Sequence, residues 1–222
     1  MVNKVRDDFP VLQKKVHGTP LIYLDNAATM QMPLCVMHAM REQVQQYHAN
    51  VHRGMHYLSE LSTARLESVR ETVRAFIGAG SAREIIFTSG TTAAINIAAA
   101  SLAKCWFRPG DRIFATAMEH HSNYLPWFEA AASADAVFVE VPFDDSGNLD
   151  VGLLERMFSE HTRLVAVTMV SNVLGTVNPV REIIQTAHRH HALVLVDAAQ
   201  AMQHEKINVK ELDCASILFL FV

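Results

Sequence analysis

Short apolar runs recur through the chain, and between them lie stretches with helical spacing. The runs Glu84–Thr88, Arg112–Thr116, Ala136–Val141, Arg163–Val170 and Leu193–Asp197 are rich in Val, Ile, Leu and Phe and read as strands. The segments Thr91–Lys104, Ser122–Ser133, Asp150 to about Glu160 and Val180–His191 read as the helices between them. Leu193-Val194-Leu195-Val196 has no polar alternation, as expected of a strand buried on both faces. Strands alternating with helices predict a three-layer α/β/α fold with a mostly parallel sheet. Upstream, residues 1–20 read as an irregular arm with a helical turn near Asp8–Leu12. Leu21–Asp25 reads as a short strand, and Pro33–His48 and Ser62–Ile77 as helices. In the second of these, Leu66, Val69, Val73, Phe76 and Ile77 form the apolar stripe. Residues 216–222 are again apolar and strand-like.

Half of the 222 residues are hydrophobic and 19% are charged, enough for one large domain with a core. The net charge of −4 comes with scattered basic residues, so no nucleic-acid footprint is expected. Cys35, Cys105 and Cys214 are far apart, with no C-x-x-C and no disulfide framework, which suits a reducing, cytoplasmic setting. The first ten residues lack the apolar stretch of a signal peptide, and no run is long enough to span a membrane.

The chemistry gathers just past the strands. In open α/β sheets ligands collect at the carboxyl ends. Strand 84–88 runs into Ser89-Gly90-Thr91-Thr92 and a helix, which is either a phosphate cup or an N-cap. It is not a Walker loop, and no G-x-G-x-x-G occurs. Strand 112–116 is followed by Glu119-His120-His121-Ser122-Asn123. Its histidines suit acid–base work, metal binding or stacking, against a plain helix start capped by Ser122 or Asn123. Adjacent histidines do not readily share one metal, and no metal site is expected. Asn172 follows strand 163–170, and Asp197 and Gln200 follow strand 193–197. Thr91, Thr92, His120, Asn172, Asp197 and Gln200 therefore converge on one sheet edge. A ligand there would offer a phosphate, an aromatic ring and a basic ring nitrogen facing Asp197, as pyridoxal 5'-phosphate does. His52 and Arg53 lie in a polar loop between helices, where Arg53 suits a carboxylate or plain solvent. His188-Arg189-His190-His191 reads as a solvated helix end.

These residues also carry a resemblance. Tyr23-Leu24-Asp25-Asn26-Ala27-Ala28, His52-Arg53-Gly54, Gly90-Thr91-Thr92, Glu119-His120-His121-Ser122-Asn123 with Pro126-Trp127, Ser171-Asn172-Val173-Leu174-Gly175 and Val196-Asp197-Ala198-Ala199-Gln200 resemble cysteine desulfurases of the SUF type. Those are fold-type I pyridoxal-phosphate enzymes of the class-V aminotransferase group. The resemblance implies that Thr91 and Thr92 cradle the phosphate, that His120 stacks on the ring and that Asp197 pairs with its nitrogen. It further implies that Gln200 and Asn172 bond the phenolic oxygen and that Asn172 helps hold the substrate carboxylate. His52 and Arg53 would line the active-site mouth near a homodimer interface. The implied reaction converts L-cysteine to L-alanine, a protein cysteine taking the sulfur for an acceptor of the iron–sulfur assembly system. A selenocysteine lyase, acting on L-selenocysteine, or another class-V enzyme is the neighbouring alternative.

The chain departs from the family's pattern at particular places. Ala93 stands where the family has an acidic residue. The family continues after Leu212-Asp213-Cys214 through a strand to Ser-Gly-His-Lys, whose lysine forms the Schiff base; here Ala215–Val222 follows instead. None of the cysteines matches the family's sulfur acceptor, and Cys214 reads as structural. The expected domains are an arm at 1–20 and an incomplete cofactor-binding domain at 21–222, with the small C-terminal domain absent. The expectation is a desulfurase-like chain that is inactive as given, with no catalytic residue of its own. A non-catalytic fragment that pairs with a full-length desulfurase is the alternative.

Overall fold

The structure, a computed structural model, describes residues 5–214 and 216–218. Of the strand expected over 216–222, residues 219–222 lie outside the described part, as do 1–4 of the expected arm. The chain divides into two compact units between Val73 and Arg74.

In the first unit a 3-10 turn at Pro10–Gln13 precedes a hairpin of β1 (Lys15–Val16) and β2 (Thr19–Pro20). His17 (φ 50°) and Gly18 (φ 83°) form its two-residue turn; positive φ at both positions is what matches the strands' twist. The strand expected at Leu21–Asp25 does not form. The segment is loop, tied by Tyr23, whose hydroxyl donates to the carbonyls of Asp25 (3.1 Å) and Thr29 (2.7 Å). Helix α1 covers Leu34–Gln46, and α2 covers Tyr57–Ile77, its last turn from Arg74 counting with the second unit. The second begins before Ser62, because His56 starts it: its carbonyl accepts from the Ser59 and Glu60 N–H groups. The apolar stripe places the face of a helix but not its first turn.

The second unit carries the sheet. Its strands are β3 (Arg112–Thr116), β4 (Val137–Val141), β5 (Thr162–Thr168), β6 (Leu193–Asp197) and β7 (Ser216–Leu218), all parallel, in the order β4-β3-β5-β6-β7. Helices α3 (Thr91–Cys105) and α4 (His121–Ser133) cover one face. Helices α5 (Val151–Met157) and α6 (Val180–Arg189) cover the other, and a short α7 (Val209–Leu212) precedes β7. Successive side chains alternate between the two cores. Ile113, Ala115, Leu164, Ala166 and Leu195 pack with Ile95, Trp127 and Ala130 under α3 and α4. Phe114, Val165, Val167, Val194 and Val196 pack with Leu154, Ile183 and Ala187 under α5 and α6. These strand residues are at most 1% exposed, so β3, β5 and β6 are buried on both faces, as their apolar runs require, while the edge strand β4 is half-exposed. The three-layer α/β fold is thus as expected.

The strand expected at Glu84–Thr88 is a correction. A 3-10 turn takes Ala82–Glu84, and 85–88 carry no regular structure among the described residues. β-Branched and aromatic residues state that a segment suits a pleated surface; the ladder itself is set by the neighbouring chain.

The strand order matters for function. After β3 the chain goes out to β4 and then returns to the other side of β3 as β5. The segments leaving β3 and β5 therefore diverge, and this is the switch point at which open parallel sheets form their crevice.

Candidate functional site

The chain leaving β3 turns back at once. Thr116 Oγ1 donates to Glu119 Oε1 at 2.5 Å, and the Glu119 N–H bonds the Thr116 carbonyl. His120 then caps α4: the Ser122 N–H donates to its Nδ1 at 3.1 Å, and Ser122 Oγ lies 2.8 Å from the same nitrogen. His120 is therefore the N-cap, where the sequence suggested Ser122 or Asn123. Because Nδ1 accepts a backbone N–H, the proton of the neutral ring sits on Nε2. Ser122 Oγ also meets Thr92 Oγ1 at 2.9 Å, which links the first turns of α3 and α4. Thr92, Ser122 and His120 are so joined in one chain of contacts.

Gly90 caps α3 with φ 149° and ψ 172°, a conformation that only glycine takes readily. Thr88 Oγ1 donates to the Gly90 carbonyl at 2.9 Å and ties the turn to the preceding segment. An α-helix leaves its first N–H groups without partners inside the helix. Here Thr91 adds a hydroxyl whose oxygen is buried with no hydrogen-bond partner among the described residues. A buried hydroxyl normally finds a partner. Beside a helix N-terminus, the missing partner has the character of an anion.

Asp197 closes β6 and is 5% exposed. Its Oδ1 accepts from the Ala199 N–H at 2.9 Å, so it does cap the turn that follows. Burial nevertheless pushes its carboxyl above the usual range; the Ala199 hydrogen bond and the nearby His120 ring pull the other way. A cation against the remaining face of this carboxylate would relieve the burial cost. Behind it, Asp197 is register partner to Thr168 of β5, and its carbonyl accepts from the Met169 N–H at 2.8 Å.

The other expected residues are less closely joined. Gln200 is half-buried in the turn after β6, its Oε1 accepting from Gln203 at 3.3 Å. Asn172 is exposed on the loop after β5, which the Ser171 N–H to Thr176 carbonyl bond closes. Among the described residues Asn172 makes no side-chain hydrogen bond to the rest of this group. His52 and Arg53 belong to the first unit, in an exposed loop. The His52 N–H donates to Thr63 Oγ1 (2.9 Å), and its ring lies 3.7 Å from Glu67.

Sequence reasoning gave Glu119 no role, yet it is the most heavily bonded side chain of the region. It accepts from Thr116 Oγ1, from Asn123 Nδ2 (2.6 Å) and from the Thr168 N–H (2.8 Å). Trp127 Nε1 donates to Asn123 Oδ1 at 2.9 Å and so fixes which way that amide faces. Burial pushes the Glu119 carboxyl up to about 8, against the three hydrogen bonds and with the Asp197 charge adding to the rise. The signal available was an acid placed directly after a strand inside a motif already singled out. Asn178, on the strand-end side, donates to the Thr168 carbonyl (2.7 Å) and to Met118 Sδ (3.1 Å).

Cys35 and Cys105 are exposed, and burial pushes the half-buried Cys214 thiol up, away from the reactive thiolate. Among the described residues no three side chains are grouped to ligate a metal, and no helix is long and apolar enough to cross a membrane. A groove of about 800 Å³ between α3 and α4 touches Thr92 and Ser122 but holds neither Asp197 nor His120.

Residues 22–219 match the family described as aminotransferase class-V. The cysteine desulfurase of Dickeya dadantii is 48% identical over 213 residues, covering 96% of this chain and 52% of the relative. That of Escherichia coli O7:K1 is 47% identical over 218 residues, 98% and 54% of the respective chains. Among solved structures, the apo cysteine desulfurase of Thermococcus onnurineus NA1 superposes with a TM-score of 0.90 at 39% identity, covering 98% of this chain and 52% of that one. The cysteine desulfurase CsdA of Escherichia coli gives 0.86 at 33% identity, with 98% and 53% covered. The chain spans about half the length of the curated relatives it matches.

Proposed function

The chain belongs to the class-V aminotransferase family, whose cofactor is pyridoxal 5'-phosphate, and from that premise we propose that it is the cofactor-holding part of a cysteine desulfurase. The observation that carries the reading is a pair of unmet demands, one in the first turn of α3 and one at the end of β6. Among the described residues Thr91 Oγ1, buried at a helix N-terminus, has no hydrogen-bond partner, and the Asp197 carboxyl, buried at a strand end, is raised by that burial despite the nearby His120 ring.

In this reading Thr91, Thr92 and the first N–H groups of α3 hold the phosphate. His120 lies flat against the ring, held by its Ser122 contacts. Asp197 keeps a proton on the ring nitrogen, since a carboxylate beside a basic nitrogen favours the charged form. Gln200 and Asn172 bond the phenolic oxygen, Asn172 also reaches the substrate carboxylate, and His52 and Arg53 line the mouth. The bound cofactor supplies an electron sink for bond cleavage at the substrate's α-carbon substituents. The substrate is L-cysteine, with L-selenocysteine as competitor, and the sulfur goes to an acceptor of iron–sulfur assembly from a homodimeric enzyme. Three free cysteines support a cytoplasmic setting.

Equilibrium dialysis of pyridoxal 5'-phosphate against the chain tests the site. Binding is expected, and Thr91→Val, which keeps the shape and removes the hydroxyl, should weaken it about tenfold, the worth of one hydrogen bond to a charged group. Asp197→Ala should weaken it at least as much. Unchanged binding by Asp197→Ala would sink the assignment. None of residues 1–222 matches the family's Schiff-base lysine or acceptor cysteine, so the 222-residue polypeptide alone should release no L-alanine from L-cysteine. Cofactor-dependent alanine release would overturn that expectation.

A further inference from the structure

Glu119 is 9% exposed and has no cation against it among the described residues, yet its carboxyl reaches three separate elements. Thr116 ends β3, Thr168 ends β5, and Asn123 stands in the first turn of α4. β3 and β5 are paired strands whose following segments diverge at the switch point, so Glu119 bonds across the place where the two paths part. On one side its chain neighbour is His120, the cap of α4. On the other, Thr168 leads to Asp197, its register partner, with Thr168 Oγ1 3.5 Å from the Asp197 carbonyl oxygen.

We propose that Glu119 is the positioning residue of this site: by bridging β3, β5 and α4 it sets His120 and Asp197 in the one arrangement that accepts a flat cationic ring between them. The inference rests on the cofactor reading for the identity of that ring. The donor pattern makes the position specific for a carboxyl. Each carboxyl oxygen faces an N–H: Oε1 faces the Thr168 amide, and Oε2 faces Asn123 Nδ2, which Trp127 holds in place. A carboxyl meets both donors whether or not it carries a proton, because a neutral acid can donate to the Thr116 hydroxyl and still accept elsewhere. A glutamine meets only one of them, since its NH₂ group must oppose either the Thr168 N–H or the Asn123 amide. Turning the Asn123 amide to accept leaves the Trp127 N–H against an NH₂ group instead.

The double substitution E119Q/N123D restores every pairing on paper. The introduced amide oxygen takes Thr116 and Thr168, its NH₂ meets the introduced carboxylate, and that carboxylate also accepts from Trp127 Nε1. Two readouts are taken on E119Q, on E119Q/N123D and on the unsubstituted chain. One is the ¹⁵N chemical shifts of the His120 ring in the apo chain, assigned against His120→Gln. The other is the dissociation constant for pyridoxal 5'-phosphate. E119Q should move the His120 ring signals and raise the dissociation constant about tenfold. The double variant should bring the signals back and the constant to within about threefold. Had Glu119 only filled space, the second substitution would add a buried charge and worsen both readouts.

Unmoved His120 signals in folded E119Q would overturn the proposal, and so would a double variant that repairs neither readout. Failure of the unsubstituted chain to bind the cofactor would overturn the reading of the site instead, while the apo ring signals still decide the role of Glu119. If E119Q does not fold, Thr116→Val removes one donor without changing shape. It should move the same ring signals in the same direction by less, and no movement would overturn the proposal.

Discussion

Two acids stand within one site at Glu119 and Asp197, and both are pushed upward by burial. The sign of the consequence follows from linkage. Glu119 rises from 4.5 to about 8, so between those values the folded chain holds a proton that the unfolded chain has lost. Its contribution to stability is therefore fully present below 4.5 and is lost as the pH rises through about 8, and Asp197 acts in the same direction. The apo chain should melt at a lower temperature at pH 9 than at pH 6, and Glu119→Gln should flatten that slope. A melting temperature that rises over this interval would contradict the assignment. Asp197 was legible in the sequence because it ends a fully apolar run. Glu119 was not, because its role depends on Thr168, 49 residues away in the chain, and on an indole that orients an amide. Spacing shows strand ends; it does not show which side chain from another strand will bond across them.

Among the elements, the parallel strands were legible, and so were the starts of α3, α5 and α6; the start of α2 was not. The runs at β3, β5 and β6 appeared close to where they were expected, because burial on both faces leaves almost no choice of residue, and the half-exposed edge strand β4 kept its Val- and Phe-rich run. Leu21–Asp25 and Glu84–Thr88 have strand-like composition but lack a strand, which shows that composition records a tendency and pairing records a partner. Helix starts depended on single capping groups, His56 for α2 and His120 for α4. The junction at Gly90 is the most exacting of these. Gly90→Ala would force a side chain into φ 149°, ψ 172°, at a cost of about 1–3 kcal/mol. The expected outcome is a drop in thermal stability of that size together with weakened cofactor binding, because Thr91 and Thr92 move with the turn. Full cofactor affinity in a folded Gly90→Ala chain would separate the turn from the site.

At the scale of the whole molecule, the central strands β3, β5 and β6 are closed on both faces while several large apolar side chains remain outside. Ile86 is 77% exposed, although it lies in a segment that the sequence marks as strand-like. Single exposed apolar residues are ordinary, but a β-prone stretch at the surface invites association. Ile86→Lys should reduce binding of the dye ANS and concentration-dependent light scattering, while stability moves by less than about 0.5 kcal/mol. Unchanged scattering would show that association, if present, runs through another surface. One feature of the same unit serves as an instrument. The chain has two tryptophans, and Trp127 is wholly buried while Trp106 is partly exposed. The indole at 127 is one hydrogen bond from Asn123 and two from Glu119. Its emission is thus a built-in optical gauge: in a Trp106→Phe background, the colour of the protein's own fluorescence should report the state of the strand-end carboxyl without any added label.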